Sequence, residues 1–424
     1  MKLDTVTREL GLDSAAQVLE AEWESSQASL PEGELFFLER DFIDRACDVI
    51  GIPQEVAAAA AAAGRRINSR PAARALVWHF QFCMFRAPGY NRDTIDEWPS
   101  LDQALGGDGR VVYLLALLSG ALELEQFNRA HAVPREVVRD TLREVAGCLR
   151  GGGEKGTDPP WGLRPRTANW LLHHVKGDLH RLGRLQFQYG HFPNRIVAFR
   201  SRGTKAVLAL SEDGVTYRQD GGRPTEGVET GAGAWTARLL VSEERITGAP
   251  ISPDGRASQE EVTLETAEWV QVLRRDMPAQ NIHIPGGRPM AHEECGESIG
   301  SAMEFYSRHF PDRPFDVFCC GSWLLDGELQ ALLPETSNIV RFQKEFYLLP
   351  RRMPPSYLLK SIFGSDAPDL DSAPRDTALR RALLDLMSNG GSLRPSAGAC
   401  FLLPEDFDWG GQVYLKKRPA VARG

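Results

Sequence analysis

The chain has 424 residues, of which 42% are hydrophobic and 25% are charged, and this composition excludes wholesale disorder and fibrous repeats. At about 150 residues per domain, the length predicts two or three domains. The net charge of −8 argues against nucleic acid as a partner, because such binding depends on Lys and Arg neutralising phosphates.

Membrane and secretion signals are weak. The longest apolar runs, residues 56–63 and 111–118, have eight residues each, whereas a membrane-spanning helix needs about 20. The first residues, MKLDTVTREL, contain no apolar stretch long enough for a secretory signal. We therefore expect a cytoplasmic protein without a membrane span.

The N-terminal part predicts helices. Up to about residue 150 apolar residues recur at helical spacing, as in Val138, Leu142, Val145 and Leu149. The segment 151–161, GGGEKGTDPPW, has the composition of a linker. The predicted domains are therefore 1–155 and 165–424. Residues 1–160 hold 17 basic and 25 acidic residues against 32 of each in 161–424, so the excess negative charge is N-terminal.

The second part predicts a sheet. After one more helix at 165–182, the hydrophobic period changes to two. The predicted strands are 184–189, 195–200, 206–210, 236–242, 261–265 and 281–285. A helix at 291–310 and a strand at 315–325 then complete a βαβ unit. The predicted fold class is α+β: a helical N-terminal domain followed by a mixed, mostly antiparallel sheet domain.

The cysteines and histidines do not predict a metal site. None of the seven cysteines lies in a C-x-x-C motif, so reduced, mostly buried thiols are expected rather than disulfides or a zinc ribbon. His173 and His180 would be about 10 Å apart along one helix and could not share an ion. His292, Glu293 and Cys295 lack a recognised ligand spacing. We predict no metal ligands.

The segment HIPGGRPM at 283–290 predicts an anion site, because it connects the first strand of the βαβ unit to its helix. A helix N-terminus offers unpaired N–H groups, and glycines let an anion approach the backbone. Gly286, Gly287 and Arg288 are the candidate phosphate ligands. The alternative is a simple glycine turn before a packed helix. Gly296 and Gly300 would leave one face of that helix flat, for contact with the sheet or a ligand.

Other common catalytic signatures do not occur. The sequence has neither a G-x-x-x-x-G-K-[ST] motif nor a G-x-G-x-x-G opening a helix. Ser322 is not in a G-x-S-x-G nucleophile elbow and is predicted to lie on a strand. Alternation places His283 beside Asn281, facing solvent or a cleft at the edge of the anion site. His283 is either a general base or a structural histidine bonded to a neighbouring strand.

Four segments carry a resemblance to a known family: LHRLGRLQFQYG at 179–190, ITGAPISPDGR at 246–256, NIHIPGGRPMAHEECGES at 281–298 and SWLLDGELQALLPETSNIVRFQ at 322–343. Together they resemble bacterial two-domain N-acyltransferases, which have a helical N-terminal domain and a C-terminal domain like the GCN5-related N-acetyltransferases (GNAT). The resemblance covers mainly residues 165–350. It implies a GNAT-like sheet domain whose βαβ unit binds the donor.

The resemblance implies transfer of an acyl group from a pantetheine thioester, either acyl-CoA or an acyl carrier protein, to an amine, amino-acid or peptide acceptor. The donor is a co-substrate, and no permanently bound cofactor is implied. Its pyrophosphate would lie at the start of the helix. The implied donor-binding residues are Ile282, Ile284, Gly286, Gly287, Arg288, Met290, Ala291 and His292. Pro289 and Met290 depart from the usual Q/R-x-x-G-x-G/A loop, and Pro289 supplies no N–H.

The expected chemistry assigns three roles beside the anion site. Backbone N–H groups near residues 282–284 would stabilise the oxyanion, and His283 or a water that it holds would accept the amine proton. Ser322 would protonate the leaving sulfur. The strands 282–285 and 315–325 would splay to admit the pantetheine arm.

Two alternatives to direct acyl transfer remain open. The chain could be a non-catalytic binding protein for acyl thioesters or carrier proteins, or Cys295 or Cys320 could be acylated first. An acidic carrier protein would be repelled by the acidic N-terminal half, so docking is expected on the charge-balanced C-terminal half.

Overall fold

The computed structural model describes residues 1–151 and 161–417, and the chain divides into two compact units, Met1–Leu182 and Gly183–Gly424. The predicted linker lies, apart from its two end residues, outside the described residues. The predicted domain limits around it stay a prediction.

The first unit is helical, as predicted. Its helices are α1 (Leu3–Leu10), α2 (Ala16–Leu19), α3 (Trp23–Ala28), α4 (Arg40–Ile50), α5 (Gln54–Asn68), α6 (Pro71–Phe85), α7 (Asp102–Leu105), α8 (Gly109–Leu118), α9 (Ala121–Ala130), α10 (Arg135–Gly151) and α11 (Pro165–Val175). The ring of Phe80 lies 4.4 Å from that of Trp98 and 5.0 Å from that of Tyr113. Aromatic ring pairs of this kind stabilise a core by more than the burial of their apolar surface alone provides.

The segment 165–182 differs from its prediction as one helix. Helix α11 ends at Val175 and is followed by a strand, β1 (Leu179–Leu182), so His180 lies on a strand and not on the helix of His173. The buried residues Ala168, Leu171 and Leu172 of α11 belong to the helical core. Helix α11 therefore packs in the core of the first unit.

One helical stretch of the first unit, Asp102–Ala130, is long and apolar enough to cross a membrane by length and composition alone. However, 72% of its most apolar window is buried inside the structure, and core helices of soluble proteins meet the same criterion. The absence of a membrane span and the cytoplasmic location stay predictions.

Within the part of the second unit that the structure describes, up to residue 417, the strands form four sheets. Its strands are β2 (Leu185–His191), β3 (Ile196–Ser201), β4 (Val207–Ser211), β5 (Thr216–Tyr217), β6 (Trp235–Thr236), β7 (Leu239–Val241), β8 (Arg245–Gly248), β9 (Pro250–Ser252), β10 (Arg256–Ala257), β11 (Val262–Glu265), β12 (Trp269–Arg274), β13 (Pro278–His283), β14 (Val317–Gly321), β15 (Tyr347–Leu349) and β16 (Ala399–Leu402). Its helices are α12 (His292–His309), α13 (Glu328–Leu332), α14 (Asn338–Lys344), α15 (Pro355–Phe363), α16 (Ala378–Ser388) and α17 (Val413–Lys416).

The central sheet has the order β2-β13-β14-β16-β15 within this unit. Strands β13 and β14 are parallel and joined by α12, whereas β2, β16 and β15 pair antiparallel with their neighbours. The predicted βαβ unit and the mixed, mostly antiparallel sheet are therefore confirmed.

Two strand ends differ from their predictions. Strand β13 ends at His283 rather than at Pro285, and β14 ends at Gly321. Ser322 is consequently not a strand residue but caps a short 3₁₀ helix, Trp323–Leu325, because its hydroxyl oxygen accepts a hydrogen bond from the Leu324 N–H at 3.2 Å. A serine that satisfies the backbone in this way competes with the hydrogen bonds of a strand.

The other sheets have the orders β10-β9-β4-β3-β12, β11-β8-β7 and β5-β6. The predicted strand 236–242 is divided between β6 and β7, which belong to different sheets. Tyr347 joins the central sheet to the five-stranded sheet, since its hydroxyl group donates to the Ile251 carbonyl and accepts from the Ala209 N–H.

The flat face of α12 is covered by aromatic rings of the chain. A Cβ atom on Gly296 would lie 2.4 Å from Cδ1 of Trp409, while the nearest atoms to one on Gly300 are ring carbons of Phe407 at 3.7 Å. Trp409 is fixed by a hydrogen bond of 2.8 Å to the His292 carbonyl. Of the alternatives for this face, the structure therefore supports packing rather than ligand contact.

We expect Gly296→Ala to lower the free energy of unfolding by about 1–3 kcal/mol, as overpacking does, although Ala favours a helix by about 1 kcal/mol. The matched variant Gly300→Ala places its methyl group at ordinary contact distance and should be stabilising by up to about 1 kcal/mol. Thermal unfolding followed by tryptophan fluorescence compares the two. Equal melting temperatures would contradict the packing that we describe.

Asp326 supports a pH-dependent prediction. Its side chain is fully buried, and its Oδ1 accepts hydrogen bonds from the N–H groups of Glu328 and Ser396. Burial raises the pKa of its carboxyl from 3.8 to about 6. Because the folded protein holds this proton more tightly than the unfolded chain, ionisation destabilises the fold increasingly between pH 4 and 6.

Asp326→Asn should therefore stabilise the protein at pH 8 by up to about 3 kcal/mol, with the gain disappearing as the pH falls from 6 to 4. The melting temperature measured across this pH range tests the prediction. Asp312→Asn, at an exposed position, is the control. A gain that is the same at pH 4 and pH 8 would show that ionisation of Asp326 is not its cause.

Candidate functional site

The candidate site begins where β13 and β14 stop pairing. Their parallel register runs to Ile282 opposite Cys320. One residue further, His283 still pairs with Gln186 of β2 and Gly321 with Ala399 of β16. Beyond Ile282 and Cys320, β13 is thus still hydrogen-bonded to β2, and β14 to β16, but β13 and β14 no longer pair with each other. The carboxyl ends of the two parallel strands lie at this edge.

His283 is half-buried at this edge. Its Nε2 lies 2.8 Å from Oε1 of Gln188 on β2, and burial lowers the pKa of its imidazole to about 4. The ring is therefore neutral at neutral pH, and Nε2–H can donate to the Gln188 oxygen while Nδ1 carries the lone pair. Asn281 lies beside it, and its Oδ1 accepts a hydrogen bond from the Cys319 thiol at 3.0 Å.

Ser322 follows β14 at the same edge and is partly exposed. Its N–H donates to the Gly398 carbonyl at 2.9 Å, which fixes the backbone. The hydroxyl oxygen accepts from Leu324, so its hydrogen remains to be donated. The structure thus brings His283, the last residue of β13, and Ser322, which directly follows β14, to the same end of the sheet.

The loop 284–291 connects β13 to α12. Gly286 and Gly287 are exposed, and a Cβ atom on either would meet no protein atom within 4 Å. Gly287 has φ +84°, a conformation that favours glycine, whereas Gly286 needs glycine neither for its φ nor for packing. The Arg288 guanidinium forms an exposed ion pair of 3.0 Å with Glu294. The backbone of this loop is open to a ligand.

The remaining predicted donor residues lie on both sides of these glycines. Ile282 and Met290 are buried, while Ile284 is partly exposed. Ala291 caps α12, and its carbonyl accepts from the Cys295 N–H at 3.1 Å.

His292 is the first residue of α12. Its side chain is buried, with Nε2 3.0 Å from Oε1 of Glu345 and Nδ1 3.0 Å from Nη2 of Arg341. Its ring also packs on Trp409, with 5.0 Å between the ring centroids. The imidazole is thus bound to the body of the unit, and only the backbone N–H of His292 is placed for a ligand at the helix start.

Arg184 is a site residue that the sequence analysis missed. It lies just before β2 and is 3% exposed. Its Nε donates to the carbonyl of Pro289 at 2.9 Å, and its Nη2 donates to that of Arg288 at 2.8 Å. Its own N–H donates to the Ser298 hydroxyl of α12. Through these hydrogen bonds Arg184 connects the glycine loop to α12. The LHRLGR segment contained it, but no local pattern indicated its partners.

The cysteines are poor nucleophiles. Burial raises the pKa of Cys295 to about 11 and that of Cys320 to about 12, and the thiolate is the reactive form. The geometry therefore disfavours an acyl-cysteine intermediate. Within residues 1–151 and 161–417, no group of three or more His, Cys, Asp and Glu side chains is placed to hold a metal ion.

The solved structures that are similar to this chain include three that each cover 95% of it. An acyltransferase variant in complex with octanoyl-CoA has 20% identity, a TM-score of 0.62 and 100% coverage of its own chain. An acyltransferase in complex with CoA and 10C-Teicoplanin has 19% identity, a TM-score of 0.62 and 99% coverage. An acyltransferase in complex with decanoyl-CoA and teicoplanin has 20% identity, a TM-score of 0.60 and 99% coverage. At these identities the likeness supports the fold. No curated protein matches the sequence.

Two family models match the sequence itself. Residues 41–177 match the N-acyltransferase N-terminal domain, and residues 179–400 match the GNAT-like C-terminal domain. The second match alone spans more than half of the chain, and the two occur in the order that the resemblance implied. The chain therefore belongs to the two-domain N-acyltransferases, with a helical N-terminal domain and a GNAT-like C-terminal domain, and it is an acyltransferase.

Proposed function

We propose that the protein transfers an acyl group from an acyl-CoA thioester directly to an amine. The observation that carries this proposal is the parting of β13 and β14 after Ile282 and Cys320, beside an open glycine loop at the start of α12. The similar structures that contain CoA, octanoyl-CoA or decanoyl-CoA support a CoA donor with a medium-length acyl chain. Teicoplanin in one of them supports a peptide-like acceptor.

The donor's pyrophosphate would lie on the loop 284–291. Gly286, Gly287 and the N–H groups at the start of α12 would bind it, because a helix N-terminus favours an anion. Pro289 has no N–H, and its carbonyl is occupied by Arg184. The pantetheine arm would then enter between the two parting strands. A carrier protein presents the same arm, so it is the alternative donor.

The acceptor nitrogen would attack the thioester carbonyl. The new C–N bond forms as the carbonyl oxygen becomes negative, N–H groups near His283 stabilise that charge, and the C–S bond then breaks. His283 would accept the proton from the attacking nitrogen, which becomes more acidic as it bonds to the carbonyl carbon. Its low pKa keeps the ring neutral and able to do so. The Ser322 hydroxyl would relay a proton to the leaving thiolate, taking one from water as it gives up its own, and His283 would release its proton to solvent.

Mass-spectrometric turnover tests this function. The purified full chain is incubated with acetyl-, octanoyl-, decanoyl- or palmitoyl-CoA, or with the same acyl groups on an acyl carrier protein, and with pooled amines, amino acids and peptides. The proposal expects an amide product from an acyl-CoA and an unmodified intact mass of the protein throughout. Binding of donors without any product would favour the non-catalytic alternative, and an acylated protein would favour the cysteine route.

A further inference from the structure

A cavity lies beside the candidate site in the same unit. It has a volume of about 290 Å³ and is lined by Gly321 and Ser322 at the end of β14 and by Arg351, Arg352 and Tyr357 after β15. Ligand pockets begin at about 300 Å³, so the cavity has room for a small group. It starts directly after Cys320, where β13 and β14 part, and therefore adjoins the place where the acyl carbonyl would lie.

The charged side chains that line the cavity are both arginines, Arg351 and Arg352. Neither Arg351 nor Arg352 makes a side-chain hydrogen bond or an ion pair with the part of the chain that the structure describes, and none of the lining residues is acidic. A third guanidinium, that of Arg223, is close enough to Arg352 for their charges to repel. Unpaired guanidinium groups around a cavity are suited to binding a carboxylate or phosphate.

Two glycines leave the space that the Arg351 side chain occupies. A Cβ atom on Gly321 would lie 2.0 Å from Nη1 of Arg351, and one on Gly398 would lie 3.3 Å from its Cβ. These glycines stand at the ends of adjacent strands, because Gly321 pairs with Ala399. The missing side chain of Gly321 thus creates the space in which the guanidinium lies across the end of β14.

We infer that this cavity binds the acceptor, and that Arg351 and Arg352 bind a carboxylate of an acceptor that carries both an amine and an acid, such as an amino acid or a short peptide. This inference rests on the proposed function and specifies its acceptor. With the carboxylate on the arginines, the amine of the same molecule reaches past Ser322 to the parting strands. The donor phosphates already have an open backbone site at Gly286 and Gly287 on the other side of that gap.

The test compares amino acids with their carboxamides, which keep the amine and lose the negative charge. With decanoyl-CoA as donor and wild-type protein, kcat/KM should be at least tenfold higher for the acids. Arg351→Gln should reduce this preference to less than threefold and leave the KM for decanoyl-CoA unchanged. Arg351→Lys, which keeps the charge, should retain part of the preference. Arg202→Gln, at an exposed position outside the cavity, should change neither quantity.

Three outcomes would overturn the inference. Equal use of acids and carboxamides by the wild-type protein would overturn it alone, since acyl transfer would still occur. A higher KM for decanoyl-CoA in Arg351→Gln, with the acid preference intact, would assign the arginines to a donor phosphate. No product from either class would overturn both the inference and the proposed function. If Arg351→Gln does not fold, Arg352→Gln and Arg351→Lys provide the same comparison.

Discussion

Replacing His283 by Ala is expected to lower kcat by a factor of about 10² to 10⁴, the usual contribution of a general base, while the affinity for the acyl-CoA donor stays the same. The reason is its position: His283 lies one residue beyond the last residue of β13 that pairs with β14, and outside the glycine loop. Steady-state kinetics and donor binding by calorimetry measure the two quantities. His191→Ala, at the exposed far end of β2, is the matched control and should leave both unchanged.

The pH dependence separates a base from a structural histidine. Because the pKa of His283 is about 4, the wild-type rate should lose its base only near pH 4, well below the ordinary histidine value of 6.5. Gln188→Glu would place a carboxylate at the atom that now lies 2.8 Å from Nε2. An opposite charge favours the imidazolium, so this variant should move the acid limb upward. If the acid limb does not move and the His283→Ala protein is active, His283 is a structural residue and not the general base.

The sequence was sufficient for the parts of the fold that depend on local patterns. The glycine loop and the amphipathic helix that follows it identified β13 and α12. Strand β14 does not alternate, because its first four residues are all buried, and it was identified by its place after α12 in the βαβ unit. Strands β15 and β16 have no such context and were not predicted. All residues of Tyr347–Leu349 and Ala399–Leu402 are buried, so neither strand alternates between polar and apolar positions.

The contacts that complete the site could not be predicted, because they join residues far apart in the chain. Arg184 and Pro289 are 105 positions apart, and Trp409 contacts the His292 carbonyl across 117 positions. Gly296 was recognised as unusual, but its partner ring lies in a segment without any regular pattern. Ser322 was assigned to a strand because its β-rich neighbours outweighed the preference of serine for capping a helix.

Arg184 gives the second large expected effect. Its two hydrogen bonds to the carbonyls of Pro289 and Arg288 orient the loop whose N–H groups would bind the donor's pyrophosphate. The ammonium group of a lysine cannot reproduce this planar fork. Arg184→Lys should therefore raise the dissociation constant of acyl-CoA by about tenfold or more, since each lost hydrogen bond at a buried position costs about 1–3 kcal/mol. Calorimetric titration with decanoyl-CoA measures this change.

The control for this prediction is Arg218→Lys. Arg218 is also 3% exposed and donates to backbone carbonyls, those of Arg223 and Pro395, but it does not contact the glycine loop. Both substitutions should lower the melting temperature, because both remove bonds to buried carbonyls. Only Arg184→Lys should weaken donor binding. An equal loss of affinity in the two variants would mean that global stability, and not the orientation of the loop, determines how tightly the donor binds.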